Sequence, residues 1–161
     1  MGKSHKRRGL ARKRGLQMDK DAVFFVCSLI ESIGRKSKNH RAVVVQALGE
    51  EGIERQLKLA DVQHCLPLEQ VTGEVMEQYG IPEGTFDTVS TCKYKVPSVT
   101  AIGKTYARIV AGEAGEENVA KIIQEVFASF LSDAISNFNA ATYYQNPSYL
   151  TECYRAGTLL D

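Results

Sequence analysis

"EENVAKIIQEVFASFLSDAISNFNA", residues 116–140, carries the strongest periodic signal in the chain. Its apolar pairs Ile122/Ile123, Val126/Phe127, Phe130/Leu131 and Ala134/Ile135 recur every four residues. Glu116 and Glu117 stand at its first turn, where the helix dipole favours negative charge. The spacing predicts one helix across the whole stretch. Four residues turn roughly 400°, so the apolar stripe drifts about 40° per repeat around a straight helix. Opposite ends must then pack on different neighbours, as a central helix of a bundle does.

The rest of the chain reads as shorter helices set around this one. Asp19 or Asp21 can cap a helix running to about Ile33, and because "AVFFVCSLI" (22–30) is apolar on nearly all faces, that helix is expected to be buried. Gly34 and "RKSKN" end it. Asn39 can cap a second helix over 40–48, closed by Gly49, although the β-branched Val43, Val44 and Val45 leave a short strand as the alternative. "IERQLKLA" (53–60) reads as a third. Pro67 suits a first helical turn, and Leu68, Val71, Val75 and Tyr79 form one apolar face before Gly80.

Residues 81–98 are long for a connection inside a compact domain, which points to a hinge or a functional loop. Cys92, Tyr94 and Val96 alternate with Lys93 and Lys95, the pattern of a short edge strand near 92–96. Ser98 can cap a fifth helix marked by Val99, Ile102, Tyr106 and Ile109, and Asn146, Pro147 and Gly157 bracket a short terminal one. The expected fold is all-α, a compact bundle of six or seven helices. Its parts are a basic extension (1–17), an N-terminal helical unit (18–81), a connecting loop (82–98), and a C-terminal helical hairpin with a short terminal helix (99–161) docked on the first unit.

At 161 residues the chain suffices for a core burying roughly two thirds of its unfolded surface, so neither metal nor disulfide is required to hold it. Cys27, Cys65, Cys92 and Cys153 are far apart and form no metal-ligand spacing, which predicts no metal and no redox pair. A basic head before an apolar run imitates a signal peptide, but acids interrupt it at Asp19 and Asp21 and "ESIGRKSKNHR" stands where a small-residue cleavage site belongs. About nine apolar residues are also too few to span a bilayer, which needs ~20. A soluble, cytoplasmic protein without membrane attachment is expected.

Few residues invite a chemical reading. "ADVQHC" (60–65) places Asp61 three residues before His64, with Cys65 following. A nucleophilic site would need a pocket that brings Cys65, Cys92 or Tyr94 within hydrogen-bond reach of His64; capping or packing is the preferred reading, since catalytic partners are spatial rather than sequential neighbours. No Walker loop, GxGxxG, HExxH or GxSxG occurs, and "GKT" (103–105) lacks the glycine-rich approach of a phosphate loop, so no catalytic residue and no cofactor is expected. Tyr143, Tyr144, Tyr149 and Tyr154 gather near the C-terminus, where packing is preferred over a partner interface.

Charge divides the chain. Lys3, Lys6, Arg7, Arg8, Arg12, Lys13 and Arg14 precede any acid, and the body that follows holds 13 basic against 19 acidic side chains. Closely spaced cations of this kind can grip phosphates, although the head lacks an aromatic for base stacking. The preferred reading is a disordered extension with the fold beginning at Met18, because such charge runs usually stay solvated.

Residues 23–81 resemble a family of short helical bacterial domains of unknown function. The likeness lies in an apolar first helix, a middle helical section, and an Asp-x-x-His element (Asp61, Val62, Gln63, His64) leading into an amphipathic helix that ends in Tyr79, Gly80 and Ile81. Family members commonly carry an aromatic just before the Asp, where this chain has Ala60. The resemblance implies a small helical bacterial protein, in some cases encoded beside toxin-like enzymes, and brings no catalytic residues. The expected role is a non-enzymatic interaction or antitoxin-like module with a protein partner or a second copy of itself. The alternatives are nucleic-acid binding through residues 1–17 and an enzyme around Asp61 and His64.

Overall fold

Asp19 starts the described fold as expected of a cap: its carboxylate accepts hydrogen bonds from the Asp21 and Ala22 amides at 3.1 and 3.2 Å. The computed structural model describes residues 19–115 and 118–161; the basic residues Lys3 to Arg14, and Glu116 and Glu117, lie outside them. Among the described residues the architecture is all-α, with seven α-helices. They are α1 (Lys20–Ser37), α2 (Arg41–Gln63), α3 (Leu68–Gln78), α4 (Val99–Glu113), α5 (Val119–Ala128), α6 (Phe130–Ser136) and α7 (Pro147–Ala156), with a 3-10 turn at Thr142–Tyr144. No described helix is long and apolar enough to cross a membrane.

The apolar helix α1 sits at the centre and packs on α2, α3 and α4, while α2 also packs on α5 and α4 on α7. Val26, Cys27, Ile30 and Ile33 of α1 join Val44, Val45, Val71, Ile102, Ile109, Ile123, Phe127, Leu131 and Leu150 in one buried cluster. Tyr106 stacks on Phe127 inside it, with ring centroids 3.9 Å apart. This apolar burial dominates the stabilisation, at roughly 1.5–3 kcal/mol for each fully buried large aliphatic side chain.

The predicted single helix over 116–140 is broken. Ser129 takes an extended conformation (φ −79°, ψ 167°) between α5 and α6. Its hydroxyl donates to the Val126 carbonyl at 2.7 Å and accepts from the Leu131 amide at 3.3 Å, so one residue closes one helix and caps the next. The physical reason lies in the drift of the stripe. Along an unbroken helix Ile123, Phe127, Leu131 and Ile135 would rotate about 120° away from a common line. With the break, all four are fully buried and Phe130 is left 37% exposed.

Gly49 closes the helix predicted over 40–48 as expected: its φ of 70° is a conformation glycine adopts without Cβ strain, and α2 is two helical segments that meet there at a kink. Val43–Val45 are therefore helical. No strand forms among the described residues, and the edge strand expected near 92–96 is absent. That segment is instead tied down by side chains: the Lys93 amide donates to Asn139 Oδ1 at 2.7 Å, and Asn139 Nδ2 donates to the Thr91 carbonyl at 3.2 Å. The near end of the connection is pinned to the α1–α2 turn, where Asn39 donates to the Pro82 carbonyl rather than capping α2, and the Gly84 and Phe86 amides donate to Ser37 and Lys38.

Gly34 does not end α1. The helix runs on to Ser37, and Lys38 (φ 56°) turns the chain. A Cβ at Gly34 would overlap the side chain of Arg41, which lies across it to reach Glu31. Glu31 is 0% exposed and Arg41 1% exposed. Arg41 Nε and Nη2 donate to the two Glu31 oxygens at 2.9 and 2.8 Å, Arg41 Nη1 donates to the Asn39 carbonyl, and Arg35 Nε adds a further bond to Glu31 at 2.8 Å. Burial works against the Arg41 charge, but the charge and hydrogen bonds of Glu31 outweigh it and hold the guanidinium more firmly protonated than usual. This fork fixes the start of α2 against the middle of α1.

Candidate functional site

The N-terminal turns of α1 stand between two grooves of similar size. One, of about 440 Å³, opens between α1, the end of α2, the α2–α3 turn and the start of α4. Asp61 reaches it from the last turn of α2, because that helix extends past the predicted end at Ala60 to Gln63. His64, the C-cap of α2, lines the same wall. Asp19 and Asp21 complete an acidic rim, and Phe24, Phe25, Leu66 and Leu68 supply apolar walls. Val62, 70% exposed, stands beside Asp61 in sequence.

His64 has an assignable tautomer. Its Nδ1 lies 2.9 Å from the Ala60 carbonyl, which can only accept, so Nδ1 carries the proton and the neutral ring keeps its lone pair on Nε2. Cys65 Sγ is 3.7 Å from that Nε2. Of the three nucleophile candidates, Cys65 has this contact with His64, whereas the Cys92 thiol points to the Tyr94 and Phe138 carbonyls. Acyl chemistry would also require paired N–H donors for an oxyanion. The Cys65 and Leu66 amides already donate to the Val62 and Gln63 carbonyls, so the turn supplies no such pair.

Ser28 also lines the cavity, but its hydroxyl, unpaired among the described residues, is closed off against Gly103 of α4. Its α1 position packs directly on Gly103, where a Cβ would overlap Ser28. The "GKT" stretch is thus part of α4, its glycine admitting α1 and its lysine facing the second groove. That groove, also about 440 Å³, lies between α1 and α4, with Lys20, Lys104 and Arg108 around Val23, Phe24 and Ala107. Asp21 and Phe24 border both.

The tyrosines have separate roles. Tyr143 meets Phe138 edge-on at 5.9 Å, Tyr149 donates to the Leu160 carbonyl, and both pack on the core with Tyr154. Tyr144 is 67% exposed. Burial first, then Glu125 and Glu113, pushes the Tyr154 hydroxyl above its ordinary range, so it remains a neutral donor. No group of three or more His, Cys, Asp or Glu side chains could hold a metal ion among the described residues.

Sequence reasoning found Asp61 and His64 but missed what surrounds them. Phe24 and Phe25, read as part of a fully buried helix, are half-buried and line the grooves. Ser28 and Thr100 gave no sequence signal, since their place in the cavity depends on how α1 meets α4. No family model, curated protein or solved structure matches the chain.

Proposed function

We propose that this protein is a non-enzymatic interaction module that receives a basic, apolar segment of a partner protein in the cavity bordered by Asp19, Asp21 and Asp61. The observation that carries the reading is the combination of three carboxylates on the rim with Phe24, Phe25, Leu66 and Leu68 on the walls. A Lys or Arg side chain has a matching division, an apolar stem and a charged head, and buries the first while pairing the second. Escort or neutralisation of such a partner, in the manner of an antitoxin, is the role that fits a recognition site whose Cys65–Leu66 turn offers no paired N–H donors for acyl transfer.

The test is a titration of the full chain with a labelled Lys/Leu peptide and its Glu/Leu counterpart. Binding of the Lys/Leu peptide alone, weakened by Asp21→Asn together with Asp61→Asn, supports the reading. Equal binding of both peptides refutes it.

The second groove favours one further reading, polyanion binding. Lys20, Lys104 and Arg108 set three positive charges around this groove against one carboxylate, Asp21, and Phe24 adds an aromatic face. A salt-titrated electrophoretic shift with single-stranded DNA tests it. Lys104→Glu with Arg108→Glu should weaken retention and flatten its salt dependence.

A further inference from the structure

We infer that Cys65 and His64 form a nucleophilic thiol–imidazole pair beside the acidic cavity, whose wall His64 joins, and that the pair is a site of thiol–disulfide exchange for small cationic disulfides. Sγ is exposed and 3.7 Å from His64 Nε2, the ring nitrogen left with its lone pair by the Nδ1–H bond to the Ala60 carbonyl. The thiol can therefore give its proton to a positioned base as it attacks.

The other three thiols are placed differently. Cys27 and Cys153 are fully buried, and burial pushes the Cys27 thiol far above its ordinary range. Cys92 Sγ is 3.2 Å from the Tyr94 carbonyl and 3.9 Å from the Phe138 carbonyl, acceptors for its S–H, and among the described residues has no contact with a histidine base like that of Cys65.

The cavity supplies the choice of reactant. His64 and Leu66, on either side of Cys65, both line it, and Asp61 and Asp21 border it with negative charge. A disulfide carrying ammonium groups satisfies the rim, whereas one carrying carboxylates is repelled. In the exchange, Sγ attacks one sulfur of the small disulfide and a new protein–ligand S–S bond forms. The original S–S bond breaks, its second sulfur leaves with the electron pair, and that thiolate takes the proton held by His64. Cys65 sulfur is oxidised and the leaving sulfur reduced, so no further oxidant is needed. The charge preference rests on the docking cavity proposed above; the pairing of Cys65 with His64 does not.

The experiment follows modification of the full chain by cystamine and by oxidised glutathione, with intact mass for rate and peptide mapping for position. Cys65 is expected to react before Cys92, and faster with cystamine. A free cysteine is only a few per cent thiolate at neutral pH, so loss of the base in His64→Asn should slow the reaction about tenfold. Asn keeps an N–H for the Ala60 carbonyl and offers no basic nitrogen, and an unchanged circular-dichroism melt separates lost chemistry from lost fold. A His64→Asn chain that reacts as fast as the parent, or first modification at Cys92, overturns the pair while leaving peptide docking standing. Asp61→Asn should reduce the preference for cystamine about threefold at low salt. A preference that survives Asp61→Asn with Asp21→Asn overturns the cavity's part in selection, and with it the docking reading.

Discussion

Replacing Glu31 by Gln keeps the size and shape of the side chain and removes its charge, which makes it a sharp probe of the buried fork between α1 and α2. Arg41 is 1% exposed and gives two of its donors to Glu31 at 2.9 and 2.8 Å. Gln can accept at one of these positions, but its amide nitrogen presents N–H groups to the other. The guanidinium is then left inside the protein without a counter-charge, a situation that typically costs about 3–5 kcal/mol. Arg35 cannot compensate, being a second cation on the same carboxylate. With an urea m-value of ~2 kcal/mol/M, the midpoint should fall by about 1.5–2.5 M. Because a domain has only ~5–15 kcal/mol of stability in total, Glu31→Gln should be largely unfolded at mild heating. Replacing both partners, Glu31→Leu with Arg41→Met, should recover much of the loss, since an apolar pair of similar volume avoids desolvating charge. Urea denaturation followed by circular dichroism measures all three chains. A loss under about 1 kcal/mol in Glu31→Gln would refute the fork as the fixing contact of α2.

Three further outcomes follow from the same geometry. Gly34→Ala puts a methyl group into the space of the Arg41 side chain and should cost about 1–3 kcal/mol by urea denaturation, although alanine is the better helix former. Ser129→Ala removes the cap of α6 and should cost about 1 kcal/mol without joining α5 to α6; a gain in far-ultraviolet helicity would contradict the packing reason given for the break. Asp87 accepts from the Ser90 amide and hydroxyl and from the Val89 amide, which hold its carboxyl below the ordinary value. A lowered folded value means this turn is fully supported above an ordinary Asp pKa of about 4 and loses that support as the pH falls through the lower one. The Val89 and Ser90 amide resonances should shift in that window, and in Asp87→Asn they should not.

What the sequence made legible were features whose physics is local. Asp19, Ser98 and Asn146 cap α1, α4 and α7 through their side chains, with Pro147 in the first turn and Gly157 (φ 77°) stopping the last helix, because each needs only neighbours within a turn. The break at Ser129 was hidden because its benefit, four apolar residues brought to one core, is tertiary. Ser followed by an apolar pair and Asp133 was the signal available, and periodicity on both sides masked it. Glu31 was also readable in principle, since a lone acid within the apolar face of a buried helix demands a cation, but nothing local named Arg41. The cavity was least legible of all. Asp61 and His64 stood out as a motif, whereas Phe25, Ser28 and Thr100 become their neighbours through the packing of α1 on α4 and the extension of α2 past Ala60.

Docking of a basic, apolar segment in the acidic-rimmed cavity is measured by fluorescence anisotropy of the labelled Lys/Leu peptide against the full chain and Asp21→Asn/Asp61→Asn. Asp19 is kept because its carboxylate caps α1. A cation about 4 Å from a carboxylate gains about 1 kcal/mol in water, so two such charges partly screened by salt correspond to about tenfold in affinity. A tenfold weaker, less salt-sensitive complex in the double variant is the predicted result. Unchanged affinity and unchanged salt dependence would contradict the claim.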